Sequence, residues 1–191
     1  MQVHQLSFNY VPTQDRILAR INTTAGEELR VWLTRRLCLN LWPSLNKSVA
    51  EHVTRQRGAK GLAQSPLATA DDMTRQMMAD FERHESLQNA DFKTPYKAQP
   101  SLLPLGDDPL LVTQIKITPL DSGALQLDFQ EKLSGQTTSR GFKMDMVSET
   151  LHGFVHLLDQ ALARSGWLGD PAAPTPDPLP TMAGDRPKYL N

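Results

Sequence analysis

Twice in this chain, three short runs of alternating apolar and polar residues lead into one stripe of helical spacing, and few folds accept that order. Alternation with period two marks a half-buried strand, and apolar residues recurring every three to four positions mark one face of a helix. In the first half Leu6, Phe8 and Tyr10 alternate, then Ile17, Ala19 and Ile21, then Leu29, Val31 and Leu33. Pro12 ends the first run because it has no N–H for a ladder. Gly26 offers the positive φ that a hairpin turn over residues 24–27 needs. Thr34 reads as the N-cap of a helix carrying Leu37, Cys38, Leu41, Leu45 and Val49. Pro43 predicts a kink near Trp42 or two short helices, since it removes a backbone bond and crowds the preceding turn.

The second half repeats the pattern without repeating the residues. Leu111, Thr113, Ile115 and Ile117 alternate, then Leu125, Leu127 and Phe129, then Phe142, Met144 and Met146. Ser148 is placed to cap the closing helix, with Glu149 in its first turn, where the helix dipole favours negative charge. Leu151, Phe154, Val155, Leu158 and Leu162 then form an apolar stripe that stops near Gly166. Three strands and one helix make a marginal core, whereas two such units packed together bury a real one. The expected fold is therefore α+β, with two pseudo-repeated strand-strand-strand-helix units forming antiparallel sheet and helices packed on one side. One domain over 1–165 follows, with unit one at 1–56, a linker and helical insert at 57–109, and unit two at 110–165. Residues 166–191 read as a disordered tail, since the last 25 residues hold six of the fourteen prolines and no periodicity.

Within the insert, residues 57–70 are small and turn-forming, and a helix from Asp71 or Asp72 to Gln88 carries Met73, Met77 and Phe81 on one stripe. Four prolines keep residues 91–109 irregular. A methionine stripe is most often core; bounded by a flexible linker and a Pro-rich segment, it also suits docking against a partner helix or groove.

Charge is the most informative feature beyond the pattern. The chain as a whole carries a formal charge of −1, which excludes a globally basic coat for nucleic acid. Residues 30–60, however, hold seven basic residues against the single acid Glu51, and residues 71–91 hold six acidic ones against Arg75 and Arg83. Either the basic stretch is a solvated face lying near the acidic helix, or it faces an anionic partner. In the second case Arg30, Trp32, Arg35, Arg36, Lys47 and Arg55 are the candidate surface. An outward Trp among arginines is what single-stranded nucleic acid asks for, with a π-face for a base and cations for phosphates.

Other chemistry finds little footing. The single cysteine, Cys38, excludes an intramolecular disulfide and lies on an apolar helix stripe, the ordinary place for a small buried hydrophobe. His152 and His156 stand at i and i+4, a spacing that lets two rings reach one metal, but no third ligand accompanies them. The expectation is two surface histidines on the polar side of the helix. Gly58-Ala59-Lys60-Gly61 has the wrong spacing for a phosphate loop. The expectation is no enzyme and no cofactor.

The segments Gln14-Asp15-Arg16-Ile17-Leu18, Trp32-Leu33-Thr34-Arg35-Arg36-Leu37, Leu41-Trp42-Pro43, Asp91-Phe92-Lys93-Thr94-Pro95 and His156-Leu157-Leu158 resemble an uncharacterised bacterial protein family over most of residues 5–165. That resemblance implies a bacterial, cytoplasmic setting and carries no activity with it. The N-terminus lacks the charged and apolar regions of a signal peptide, and no apolar run is long enough to span a membrane. The sequence thus points to a non-catalytic interaction or adaptor protein of unknown partner, self-associating through strand edges or the Met-rich helix. The alternative is a single-stranded nucleic-acid-binding or transcription-accessory protein built on the basic patch.

Overall fold

The alternating runs of the first half form β1 (Val3–Val11), β2 (Arg16–Thr23) and β3 (Glu28–Thr34). The computed structural model describes residues 1–59, 73, 74, 77, 80, 81, 84, 96, 102–133, 135 and 139–169. In it the three strands pair antiparallel, with Phe8 opposite Ala19 and Ala19 opposite Val31. This register puts Phe8, Ile17, Ala19, Ile21, Leu29, Val31 and Leu33 on one buried face. A short 3-10 turn at Pro12–Gln14 joins β1 to β2 and ends on Asp15 in the left-handed region, φ 47°. Between β2 and β3, Gly26 takes φ 77° and donates to the Thr23 carbonyl at 3.1 Å, as the turn requires.

β3 feeds α1 (Arg35–Ala59) with no loop, and Thr34 caps it: its Oγ1 accepts from the Leu37 N–H at 3.3 Å. The helix is one continuous element, so Pro43 does not split it, and it takes in three residues assigned by pattern to the linker. The reason is position. The bond Pro43 cannot make would go to the Leu39 carbonyl, and Leu39 and Pro43 both lie on the exposed side, where water can take its place. Cys38, Leu41, Leu45 and Val49 are buried on the opposite side.

The chain re-enters the sheet at Leu102, whose carbonyl accepts from the Glu28 N–H at 3.0 Å. What the alternation presents as one strand is then two, β4 (Leu110–Val112) and β5 (Gln114–Pro119), separated by Thr113 alone. β4 pairs parallel with β3, and β5 pairs antiparallel with β6 (Leu125–Glu131), which pairs antiparallel with β7 (Arg140–Met146). The result is a four-stranded sheet, β1-β2-β3-β4, and a three-stranded one, β5-β6-β7, so the expectation of wholly antiparallel sheet is corrected at β3–β4. Thr113 makes the switch. Its N–H donates to the Gln130 carbonyl at 2.9 Å, and its Oγ1 accepts from the Lys132 N–H at 2.8 Å. On the far side of β6, Gly141 is obligatory for another reason, because a Cβ there would run into the Phe129 carbonyl oxygen.

The closing helix, α2 (Ser148–Ser165), is seated by packing. Ser148 is its first helical residue and not its cap; the cap position falls on Val147, which offers no side-chain acceptor, and the Leu151 N–H turns back to the Val147 carbonyl at 2.9 Å. Phe154 meets Phe8 edge-on at 5.0 Å and Phe129 at 6.4 Å, so one ring joins both sheets. Gly166, φ 67°, ends the helix. The fold is α+β, and the buried faces of both sheets share one core with both helices. The tail beyond residue 169 and the linker beyond residue 59 lie outside the described residues.

Candidate functional site

The six residues of the basic patch fall on two surfaces. Arg30 and Trp32 point to the outer face of the first sheet, because they alternate with the buried Leu29, Val31 and Leu33. Arg35, Arg36, Lys47 and Arg55 are exposed along α1, which packs on the other face. Arg36 and Lys47 lie about 20° apart around the helix axis and about 16 Å apart along it, so they share one line, while Arg55 is displaced further round.

On the outer face Arg30 is engaged within the sheet. Its register partner is Arg20, a like charge directly across, which is unfavourable unless an anion is shared. Glu28 supplies that anion: Arg20 donates to its Oε1 through Nε at 2.9 Å and approaches it through Nη2 at 2.8 Å, and Arg30 Nε stands at 3.6 Å. Glu28 is only 4% exposed, so the pairing is close to obligatory. Tyr96 covers the group, its ring centroid 4.8 Å from the Arg20 guanidinium carbon and its hydroxyl donating to Asn22 Oδ1 at 2.6 Å. Burial pushes the Tyr96 phenol up to about 12, and the Glu28 charge acts in the same direction. Trp32 sits one row away between Leu18 and Leu111, half-buried.

A second cluster ties α2 to the β1–β2 turn. Trp167 Nε1 donates to Asp15 Oδ1 at 2.8 Å and the Tyr10 hydroxyl donates to the same oxygen at 2.9 Å, with the two rings edge-on at 5.5 Å. These two hydrogen bonds, from Trp167 first, hold the Asp15 carboxyl below its ordinary range, and the nearby Arg35 charge adds to the effect.

The histidine pair does not assemble. His152 is fully buried, contrary to the expectation of two surface histidines, whereas His156 is half-exposed with Nε2 at 2.9 Å from Gln160 Nε2. α2 packs on β1 and β7 and touches α1, so its buried arc is wider than one apolar stripe and takes in the residue after Leu151. Among the described residues no group of three or more His, Cys, Asp or Glu could hold a metal ion. The Cys38 thiol is buried, and burial pushes it up to about 12. Among the described residues no helix is long and apolar enough to cross a membrane.

Among the described residues two apolar surfaces stand open. Met73, Met77 and Phe81 are helical and stand 74%, 65% and 65% exposed, at the i, i+4, i+8 spacing of one face. The second is a groove that alternation and charge gave no sign of. α1 and β5 enclose about 480 Å³ between Leu37, Leu41, Ile115 and Ile117 below and Asn40 and Ser44 at the rim. A further hollow of about 460 Å³ shares Leu37, Asn40 and Thr113 with it and reaches Arg36. Neither hollow is large for a ligand site, and together they form a trough beside a strand edge.

No family model, curated protein or solved structure matches the chain. The reading of function therefore rests on these surfaces.

Proposed function

We propose that the protein works by binding polypeptide, itself or another chain, and not by catalysis. The exposed Met73–Met77–Phe81 stripe carries this reading. Three large apolar side chains on one helix face gain nothing from water, while burial against a partner is worth about 1.5–3 kcal/mol for each one fully covered. Methionine suits such a face because its unbranched chain adapts to the surface it meets. Buried thiol and buried Glu28, each committed within the fold, add no competing chemistry.

Changing Met77 and Phe81 to Glu together tests it. Both side chains are exposed, so the far-ultraviolet spectrum should not change. Light scattering across a concentration series, together with affinity purification of the full chain, should show self-association or a captured partner that the double variant loses. A strict monomer that recovers the same proteins with and without the stripe overturns the reading.

The second reading, single-stranded nucleic acid, is favoured by the exposed line of Arg36 and Lys47, with Arg35 beside it. It is weakened by Arg30, which is held at Glu28, and by Trp32, which is half-covered. Phosphate contacts are strongest at low salt. Absence of any anisotropy change with a labelled oligonucleotide at low ionic strength removes this reading.

A further inference from the structure

The groove between α1 and β5 has a cause in the chain path. β3 runs parallel to β4 with Leu33 opposite Val112, and one residue later it turns into α1. β5 therefore continues past the point where its neighbour on that side stops, and among the described residues it is hydrogen-bonded to β6 alone. Half of its backbone N–H and C=O groups point along the sheet into the trough, a template for one more strand. Proteins usually blunt such an edge with a bulge, a proline or a cover; here Pro119 stands only at the end of β5, and six residues give a template about 20 Å long.

The two faces of β5 specify what that strand should carry. On the inner face Ile117 lies in register with Leu127 and Met144, and Ile115 with Phe129 and Phe142. An added strand would extend these rows with apolar side chains, set down between Ile115, Ile117 and Leu41. On the outer face Lys116 lies in register with Asp128, and Asp128 with Lys143, whose Nζ is 3.8 Å from the Asp128 carboxylate. The charges alternate plus, minus, plus from β7 to β5, so the next position in the row fits a carboxylate. At the other end of the trough the charged lining residue is Arg36, and Lys47 follows it on the same line of α1; among the described residues no carboxylate lines either hollow. Glu51 is one turn beyond Lys47, outside the lining.

We infer that the α1–β5 groove binds an extended, acidic peptide segment of a partner protein by strand addition to β5. Its apolar side chains, at every second position, face Ile115 and Ile117, a carboxylate at an intervening position meets Lys116, and an acidic residue where the segment leaves β5 at the other end of the trough meets Arg36. Main-chain bonds to the β5 edge supply affinity and the alternating side chains supply selection. The described lining of this groove shares no residue with the Met73–Phe81 stripe, and it takes a different ligand conformation.

Synthetic ten-residue peptides alternating Val with Glu serve as the probe, read by fluorescence anisotropy on the full chain. The acidic peptide should bind, and a version with Lys in place of Glu should bind at least about tenfold more weakly. Methylating alternate backbone nitrogens of the peptide should abolish binding in one of the two phases and spare it in the other, because only alternate groups face β5. The double variant Arg36→Glu, Lys116→Glu should reverse the preference and bind the Lys peptide, a gain that misfolding cannot produce. Amide exchange should slow along β5 when the peptide is present. The inference is overturned if no acidic peptide binds, if the charge reversal leaves the preference unchanged, or if methylation in neither phase matters. Competition by an oligo-dT strand that depends on the same two cations, without slowed exchange on β5, also overturns it. The Met77→Glu, Phe81→Glu variant must bind the peptide as wild type does, so loss at one surface leaves the other standing.

Discussion

The two strand-to-helix junctions of this protein are built on opposite terms. At β3–α1 a side chain caps the helix, Thr34 accepting from Leu37, yet the first turn carries Arg35 and Arg36 and no acid. At β7–α2 no side chain caps the helix, yet the first turn carries Glu149, the sign the dipole favours, and seven residues of the helix are buried. α2 is held by what it packs against, and α1 begins where a local hydrogen bond tells it to. The cationic first turn of α1 is a local cost of a few tenths of a kcal/mol per charge. Of these two cations, Arg36 is the one that reaches the groove.

If the junctions differ in this way, truncating packing at α2 should cost most. Phe154→Ala removes a fully buried ring that touches Phe8 of one sheet and Phe129 of the other, and should lower stability by about 3–5 kcal/mol in denaturant unfolding. A loss below about 1 kcal/mol would mean that α2 is not what joins the sheets.

Caps give the next largest effect, with a sign that depends on the junction. Thr34→Ala should cost about 1 kcal/mol by removing the acceptor at α1, while Val147→Asp should gain a comparable amount or less by adding one at α2. Arg36→Glu should stabilise by about 0.3–1 kcal/mol at low ionic strength and lose that gain in high salt, because the dipole term is screened. If Thr34→Ala and Val147→Asp both prove neutral, the distinction between the junctions does not hold.

Most of the strand pattern was open to reading because alternation is a direct image of burial on one face: Ile17, Ala19 and Ile21 are buried as their spacing implies. What stayed hidden depends on partners far away in sequence. Glu28 has the chemistry of a surface residue, and its burial comes from Arg20, Arg30 and a Tyr96 that lies 74 residues from Asn22. Ser148 followed by Glu149 looks like a cap, and only the extended backbone of Val147 shows that the helix begins one residue earlier than a Ser148 cap implies. Pro43 allows a kink or two short helices, and the continuous α1 sets aside only the second; spacing alone does not tell that the bond it removes lies on the side that meets water. The basic residues were legible one by one, but not their division between two faces. The groove was not legible at all, since its walls, α1 and β5, come together only through the β3–β4 pairing.

The smallest expected effect lies where the two junctions meet. Asp15 holds the end of α2 through Trp167 and feels Arg35 at the start of α1, so its charge state links the two helices. Its folded-state carboxyl is held below the ordinary value of 3.8 by the bonds from Trp167 and Tyr10. A depressed carboxylate contributes stability that is fully present above the unfolded value and is lost as the pH falls through the folded one. The stability difference between wild type and Asp15→Asn should therefore be constant from neutral pH down to about pH 5 and shrink below about pH 4. Asn is the fitting replacement because it tolerates the left-handed backbone of φ 47° at this position, leaving the carboxylate as the main change. Trp167→Phe, which keeps the ring and deletes the N–H, should reduce the same acid-dependent difference by removing the first of the two donors. A gap between wild type and Asp15→Asn that stays level through pH 3 would show that the carboxylate charge does not hold α2 to the turn, and that packing alone seats both ends of that helix.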